Sequence, residues 1–177
     1  MAVPAVSVAT VRTELPRDFD AVRALLSLSF RRQGEARLVD RLRAAGKLCV
    51  ALVAEDKARI LGHAVFSKSV VSVENVPANL SVLAPIAVMP AFQRLGIGSA
   101  LVSSGLERAR AQGHAGVLVL GDPAFYARFG FVPAARFGLK SPFSAPAESF
   151  MAIELEPGSI AGLPGAVRYA QEYDDLE

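Results

Sequence analysis

The chain has one cysteine, two histidines and no tryptophan among its 177 residues. A lone thiol, Cys49, excludes an internal disulfide. With only His63 and His114 beside it, the clustered thiolates and imidazoles of a zinc site have no source, and no metal is expected. No apolar run approaches the roughly 18 residues of a membrane span. The opening MAVPAVSVATVRTELP lacks the basic n-region and unbroken apolar block of a signal peptide. No membrane partner is therefore expected, and the cytoplasm is the expected location. Charge of neither sign dominates. Nineteen Lys and Arg against 17 Asp and Glu leave +2, too balanced for nucleic acid as the main partner.

What is present is the composition of a globular domain, 52% apolar and 20% charged. The length fits one domain over 1–177. VSVATV (6–11) reads as a strand, and 16–30 as a helix with Phe19, Val22, Leu26 and Phe30 at helical spacing. A second helix over 35–46 ends at Gly46. Strands follow at 48–56, 59–71 and 81–88, the last interrupted by Pro85. A helix running to Gly113 precedes a short buried strand, 116–121. Asp122, Pro123 and Gly130 bound a short helix with N-cap, first-turn proline and C-terminal glycine. A strand at 150–155 is followed by a C-terminal 156–177 that reads as an added strand, at 165–171, or a tail.

Between the fourth strand and its helix lies PAFQRLGIGSALV, Pro90 to Val102. Glycine lets backbone N–H groups approach a ligand, and a helix starting at Gly96 or Ile97 offers unpaired donors with a partial positive charge. Arg94 adds a formal one, so phosphate is the natural guest. The GxxxxGK[ST] pattern of NTPases is absent. Gly96-Ile97-Gly98 matches half of the dinucleotide fingerprint, with Asp122 where a ribose-binding acid would stand. Leu101 occupies the third glycine position, however, and too little chain follows for a second nucleotide-binding half. An NAD(P)-dependent oxidoreductase is the weaker alternative.

Gln93-Arg94-Leu95-Gly96-Ile97-Gly98 resembles the Q/R-x-x-G-x-G/A motif of the GNAT N-acetyltransferase superfamily. Phe125-Tyr126-Ala127-Arg128-Phe129-Gly130-Phe131 resembles the F-Y-x-x-x-G-F of the same superfamily, about 30 residues downstream. The likeness spans the element order to at least Leu155 and is nearest to a bacterial branch of acetyltransferases with GDPxYYxRFGF-like segments. It implies an α/β GNAT fold: a mixed, mostly antiparallel sheet splayed between its fourth and fifth strands, with helices on both faces. It further implies acetyl-CoA as co-substrate, its pyrophosphate held by Gln93, Arg94 and the amides of Leu95, Gly96, Ile97, Gly98 and Ser99. Pro85 then breaks the strand pairing so that Ile86, Ala87 and Val88 pair with the pantetheine, and the Val88 N–H polarises the thioester. Relatives of this kind often dimerise.

Transfer to an amine also needs a proton for the departing thiolate. Tyr126 is the expected acid, turned about 100° from a core stripe of Phe125 and Phe129. Deprotonating an alkyl amine costs about 4.6 kcal/mol at pH 7, and Glu35, His63 and Glu74 are the candidates to assist at the acceptor side. Each has a plainer reading: Glu35 as a first-turn acid, His63 as a core histidine, Glu74 as a solvated loop residue. Arg31, Arg32, Arg37, Arg41 and Arg43 read as solvated helix faces, with an acidic acceptor or the coenzyme's ribose phosphate as the alternative. Cys49 reads as a core residue, and 139–150 as a loop, which by the resemblance would wall the acceptor pocket. The expected activity is acetyl transfer from acetyl-CoA to a primary amine, on a small molecule or a protein lysine, by direct attack. A coenzyme-binding sensor without turnover is the alternative.

Overall fold

The computed structural model describes residues 9–68, 70–72, 79–161, 163 and 165–176. In chain order its elements are β1 (Thr10–Thr13), α1 (Phe19–Phe30), α2 (Gly34–Ala44), β2 (Leu48–Asp56), β3 (Arg59–Lys68), β4 (Val70–Ser72), β5 (Leu80–Val88), α3 (Ile97–Ala111), β6 (Gly116–Leu120), α4 (Pro123–Tyr126), β7 (Val132–Pro133), β8 (Leu139–Lys140), β9 (Phe150–Glu154) and β10 (Gly165–Arg168). Seven of the strands form one sheet in the order β1-β2-β3-β5-β6-β9-β7, and β4, β10 and β8 form a second. β5 and β6 pair in parallel; their neighbours in the large sheet are antiparallel.

Apolar periodicity places the helices. Val22, Leu25 and Leu26 of α1 and Ala36 and Val39 of α2 pack on Val53, Val65 and Ala87, covering one face of the sheet. Leu101, Val102, Leu106 and Ala109 of α3 cover the other face, over Leu52, Ala54 and Phe66. β3 carries a continuous buried run because both of its faces are covered.

Some boundaries differ from the sequence reading. The first described strand spans Thr10–Thr13 rather than 6–11, in register with Glu55 to Leu52. The first helix begins at Phe19. Pro16–Asp18 is a separate 3-10 turn, in which Asp18 accepts the Leu15 N–H at 2.8 Å and pairs with Arg12 at 2.7 Å. The expected strand over 59–71 divides. β3 ends at Lys68, and β4 turns away to pair with β10, the added C-terminal strand.

Two features position the site. First, β5 and β6 pair only over Leu80 to Val82 and Gly116 to Leu118, after which the strands part. On the β3 side, Ala84 and Pro85 bulge opposite Val65, between the pairs Phe66–Leu83 and Ala64–Ile86. Second, α3 lies unusually close to β3. A Cβ on Gly62 would stand 2.9 Å from Ile97 Cγ2 and Leu101 Cδ1, and one on Gly105 would enter the Phe66 ring. These missing side chains seat the first turn of α3 against the end of β5.

Gly105→Ala tests that seat. Helix propensity favours the alanine by about 1 kcal/mol, but the clash with Phe66 costs more, so a net loss of about 1–2 kcal/mol is expected. A lowered Tm checks it, and an unchanged or raised Tm contradicts the close approach.

Candidate active site

The end of β5 carries the backbone groups from which the site is built. Met89 N–H donates to Leu61 O at 2.8 Å across the β3 side, flanking the opposed residues Val88 and Gly62. That makes Val88–Gly62 a non-hydrogen-bonded pair, whose own N–H and C=O groups point away from each other's strand. By the two-residue period of a strand, Ile86 is oriented as Val88 is. Both N–H groups therefore face the gap that β6 has vacated.

Immediately after, the chain turns into α3. Arg94 has φ +63° and Gly96 φ +83°, alternating with residues of ordinary backbone. Such alternation gathers successive N–H groups into a concavity suited to anions. Left-handed backbone costs little at Gly96 but is strained at Arg94, a strain typical of functional turns. No side chain caps α3 and no acid occupies its first turn, so the leading N–H groups and the positive end of the helix dipole stay open.

Gap and turn share one cavity of about 660 Å³. Of the residues the sequence assigned, Ile86, Ala87, Val88, Gln93, Arg94, Gly96, Gly98, Ser99 and Tyr126 line it. Leu95 and Ile97 do not: Leu95 is half exposed, and Ile97 is buried in the core. Gln93 also has a task internal to the protein, donating from Nε2 to the Val88 carbonyl at 3.2 Å.

Four further lining residues, Gly121, Asp122, Phe125 and Arg128, were missed as site residues. All fall in the GDPxFYxRFGF segment, and reading it whole rather than for its tyrosine would have found them. Arg128 lies 4.7 Å from the Phe125 ring centroid and reaches Ser99 Oγ at 3.4 Å, adding a second cation at the turn.

The expected stripe in this segment is reversed. Tyr126 is the buried residue, packed edge-on to Phe125 and Phe131, while Phe125 and Phe129 are half-buried. α4 is only four residues long and passes into a 3-10 turn, so a 100° rotation per residue does not persist. Burial, with the Asp122 charge nearby, pushes the Tyr126 hydroxyl up to about 12. It is a neutral donor at every physiological pH.

Of the acceptor-side candidates, neither Glu35 nor His63 lines the cavity. Glu35 is buried in the first turn of α2 and chelated by Arg32. His63 is fully buried, with Nε2 at 3.1 Å from Glu14 Oε1. Burial pushes the Glu14 carboxyl up, but His63 and Arg43 outweigh it and hold it below its usual value. Glu74 lies outside the described residues. The dense arginines are more engaged than solvated faces would be: Arg32 pairs with Glu35, Arg41 with Asp175, and Arg43 with Glu14 and Asp40. Cys49 is half-buried against the core, and burial raises its thiol pKa.

The same architecture recurs in known proteins. The Escherichia coli K12 N-acetyltransferase YhbS is 34% identical over 165 residues, spanning 93% of this chain and 98% of that protein. A crystal structure of YhbS from Escherichia coli in complex with CoA superposes with a TM-score of 0.91, covering 98% of this chain and 96% of that one. A GNAT family acetyltransferase from Brucella melitensis, in complex with acetyl-CoA, gives a TM-score of 0.78 at 32% identity, covering 94% and 98%. The profile of the acetyltransferase (GNAT) domain matches residues 10–134. With the parted strands, the left-handed turn before α3 and these relatives in agreement, the chain belongs to the GNAT family of N-acetyltransferases.

Proposed function

We propose that the cavity binds acetyl-CoA and that the chain transfers its acetyl group to a primary amine, on a small molecule or a protein. One observation carries the reading. The outward N–H groups of Ile86 and Val88 and the open first turn of α3 line one continuous cavity. That is the shape of an extended ligand with an anionic end. Coenzyme A has that form, and homologues of 34% and 32% identity have been crystallised with CoA and with acetyl-CoA.

In this reading the amides of Gly96, Gly98 and Ser99, with Arg94 and Arg128, hold the pyrophosphate. Ile86 and Val88 continue the broken sheet onto the pantetheine, as an added strand would. The Val88 N–H stands where negative charge develops on the thioester oxygen as the amine attacks. Tyr126 receives the departing sulfur. The thiolate of a thiol with pKa near 8.5 is a weaker base than the phenolate of a tyrosine raised to about 12, so the hydroxyl stabilises the thiolate through a hydrogen bond rather than by giving up its proton outright. The proton that finally neutralises the sulfur comes from the attacking amine, passed through the site. With Glu35 held by Arg32 and His63 by its contact with Glu14, an amine that arrives neutral or loses its proton to water fits the site better than one served by a dedicated base.

Calorimetric titration with acetyl-CoA, with NAD and ATP as controls, tests the assignment. Micromolar binding of the coenzyme alone is expected, and heat with NAD alone would return the glycine turn to the dinucleotide reading. Gly98 separates cradle from scaffold, because a Cβ there meets only Phe125 Cζ at 3.6 Å and Val88 Cγ2 at 3.7 Å. Gly98→Val should weaken coenzyme binding about tenfold or more while moving Tm little. Tyr126→Phe should lower kcat about tenfold with coenzyme affinity within about twofold. With the hydroxyl near 12, kcat/KM should climb with pH as the acceptor amine deprotonates, and show no alkaline fall below about pH 10. A fall near pH 9 would give the acid role to another group.

A further inference from the structure

The bulge in β5 has a partner from the far end of the chain. Ala84 has no opposed residue in either register, since pairing with β6 ends at Val82 and pairing with β3 skips from Leu83 to Ile86. A carbonyl withdrawn from both ladders needs a donor. Tyr173 supplies it, its hydroxyl donating to Ala84 O at 2.8 Å. A phenol has one proton to give, so the Ser67 hydroxyl, 2.9 Å away, donates in turn to the Tyr173 oxygen. Ser67 is fully buried and opposes Val82, the last β5 residue still paired with β6.

Tyr173 is itself firmly held. It is 3% exposed and packs with Leu38 and Leu42 of α2 and with Leu80 and Val82 of β5. Its ring meets Tyr169 at 5.1 Å, edge to face. The neighbouring Glu172 is tied to Lys47 at 2.8 Å, and its carbonyl to Arg41 at 2.7 Å. The family profile matches only to residue 134, so Tyr173 lies outside the span it describes.

We infer that Tyr173 is a positioning residue for acyl transfer: its hydroxyl stands in for the missing strand at Ala84 and thereby sets the direction of the Ile86 and Val88 N–H groups. The inference rests on the proposed use of those two groups to hold the acyl-bearing arm of acetyl-CoA. Tyr173 does not line the cavity and acts through two residues of backbone. Packing alone does not require the hydroxyl, since phenylalanine would fill the same space.

The test compares two ligands on the full chain. Acetyl-CoA engages both the turn and β5, whereas adenosine 3′,5′-bisphosphate reaches only the turn. Tyr173→Phe should weaken acetyl-CoA about fivefold and leave adenosine 3′,5′-bisphosphate within about twofold, the mark of a misdirected strand beside an intact cradle. Ser67→Ala should show the same split at about two- to threefold, and carries the test alone if Tyr173→Phe fails to fold. Equal weakening of both ligands, or of neither, overturns the inference whatever happens to Tm. Failure of the wild-type chain to bind acetyl-CoA would instead strike the proposed function, so the two ideas fail separately.

Discussion

A backbone amide taken out of water must find a partner, and the site follows from where β5 loses one. Past Val82 the strand leaves β6 while staying bound to β3. Each polar group on the vacated side then has to be met by something other than a ladder. The Ala84 carbonyl takes the Tyr173 hydroxyl, and the Val88 carbonyl takes the Gln93 side chain. The Ile86 and Val88 N–H groups open on the cavity. A protein that satisfied every donor here would have closed the sheet and lost the open edge.

The second half of the site depends on how near a helix can come to a sheet. With Gly62 and Gly105 opposed to Ile97, Leu101 and Phe66, α3 settles low on β3. Its uncapped first turn thereby becomes a wall of the gap rather than a separate feature. The strained left-handed Arg94 and the permissive Gly96 turn the chain sharply enough to join them. Helix dipole, backbone nest and the charges of Arg94 and Arg128 then act on the same small volume.

Electrostatics on the other face serve the scaffold. Arg12 bridges Asp18 and Glu55, tying β1 to the start of the first helical turn and to β2. Arg43 and His63 meet at Glu14, joining α2, β3 and the chain just after β1. His63 opposes Ala87, one residue from the proposed oxyanion donor, but spends its Nε2 on Glu14 and is sealed from solvent. Proximity in the sheet therefore does not make it a base.

Much of this was legible in the residues themselves. Gly96 announces its turn because left-handed backbone is a local property, and Asp122 and Gly130 bound their helix for the same local reason. Pro85 marks the interrupted strand because a residue without an N–H cannot serve a central ladder. What stayed hidden was non-local. The reversal of Phe125 and Tyr126 depends on a helix too short to keep its period, and on Phe131 folding back over the ring. The pairing of Arg32, Arg41 and Arg43 depends on carboxylates three to more than a hundred residues away.

Sequence by itself thus determined the periodic elements, the broken strand, the glycine turn and the resemblance that named the chemistry, since each rests on residues adjacent in the chain. Only the tertiary structure decided which groups share a space. It placed Arg128 and Phe125 in the cavity and withdrew His63 and Glu35 from it. It also brought Tyr173 across 89 residues to the carbonyl of Ala84. The physical reason is that hydrogen bonds and burial are settled by three-dimensional proximity, and no spacing along the chain encodes a partner found only when the sheet and the C-terminal segment close together.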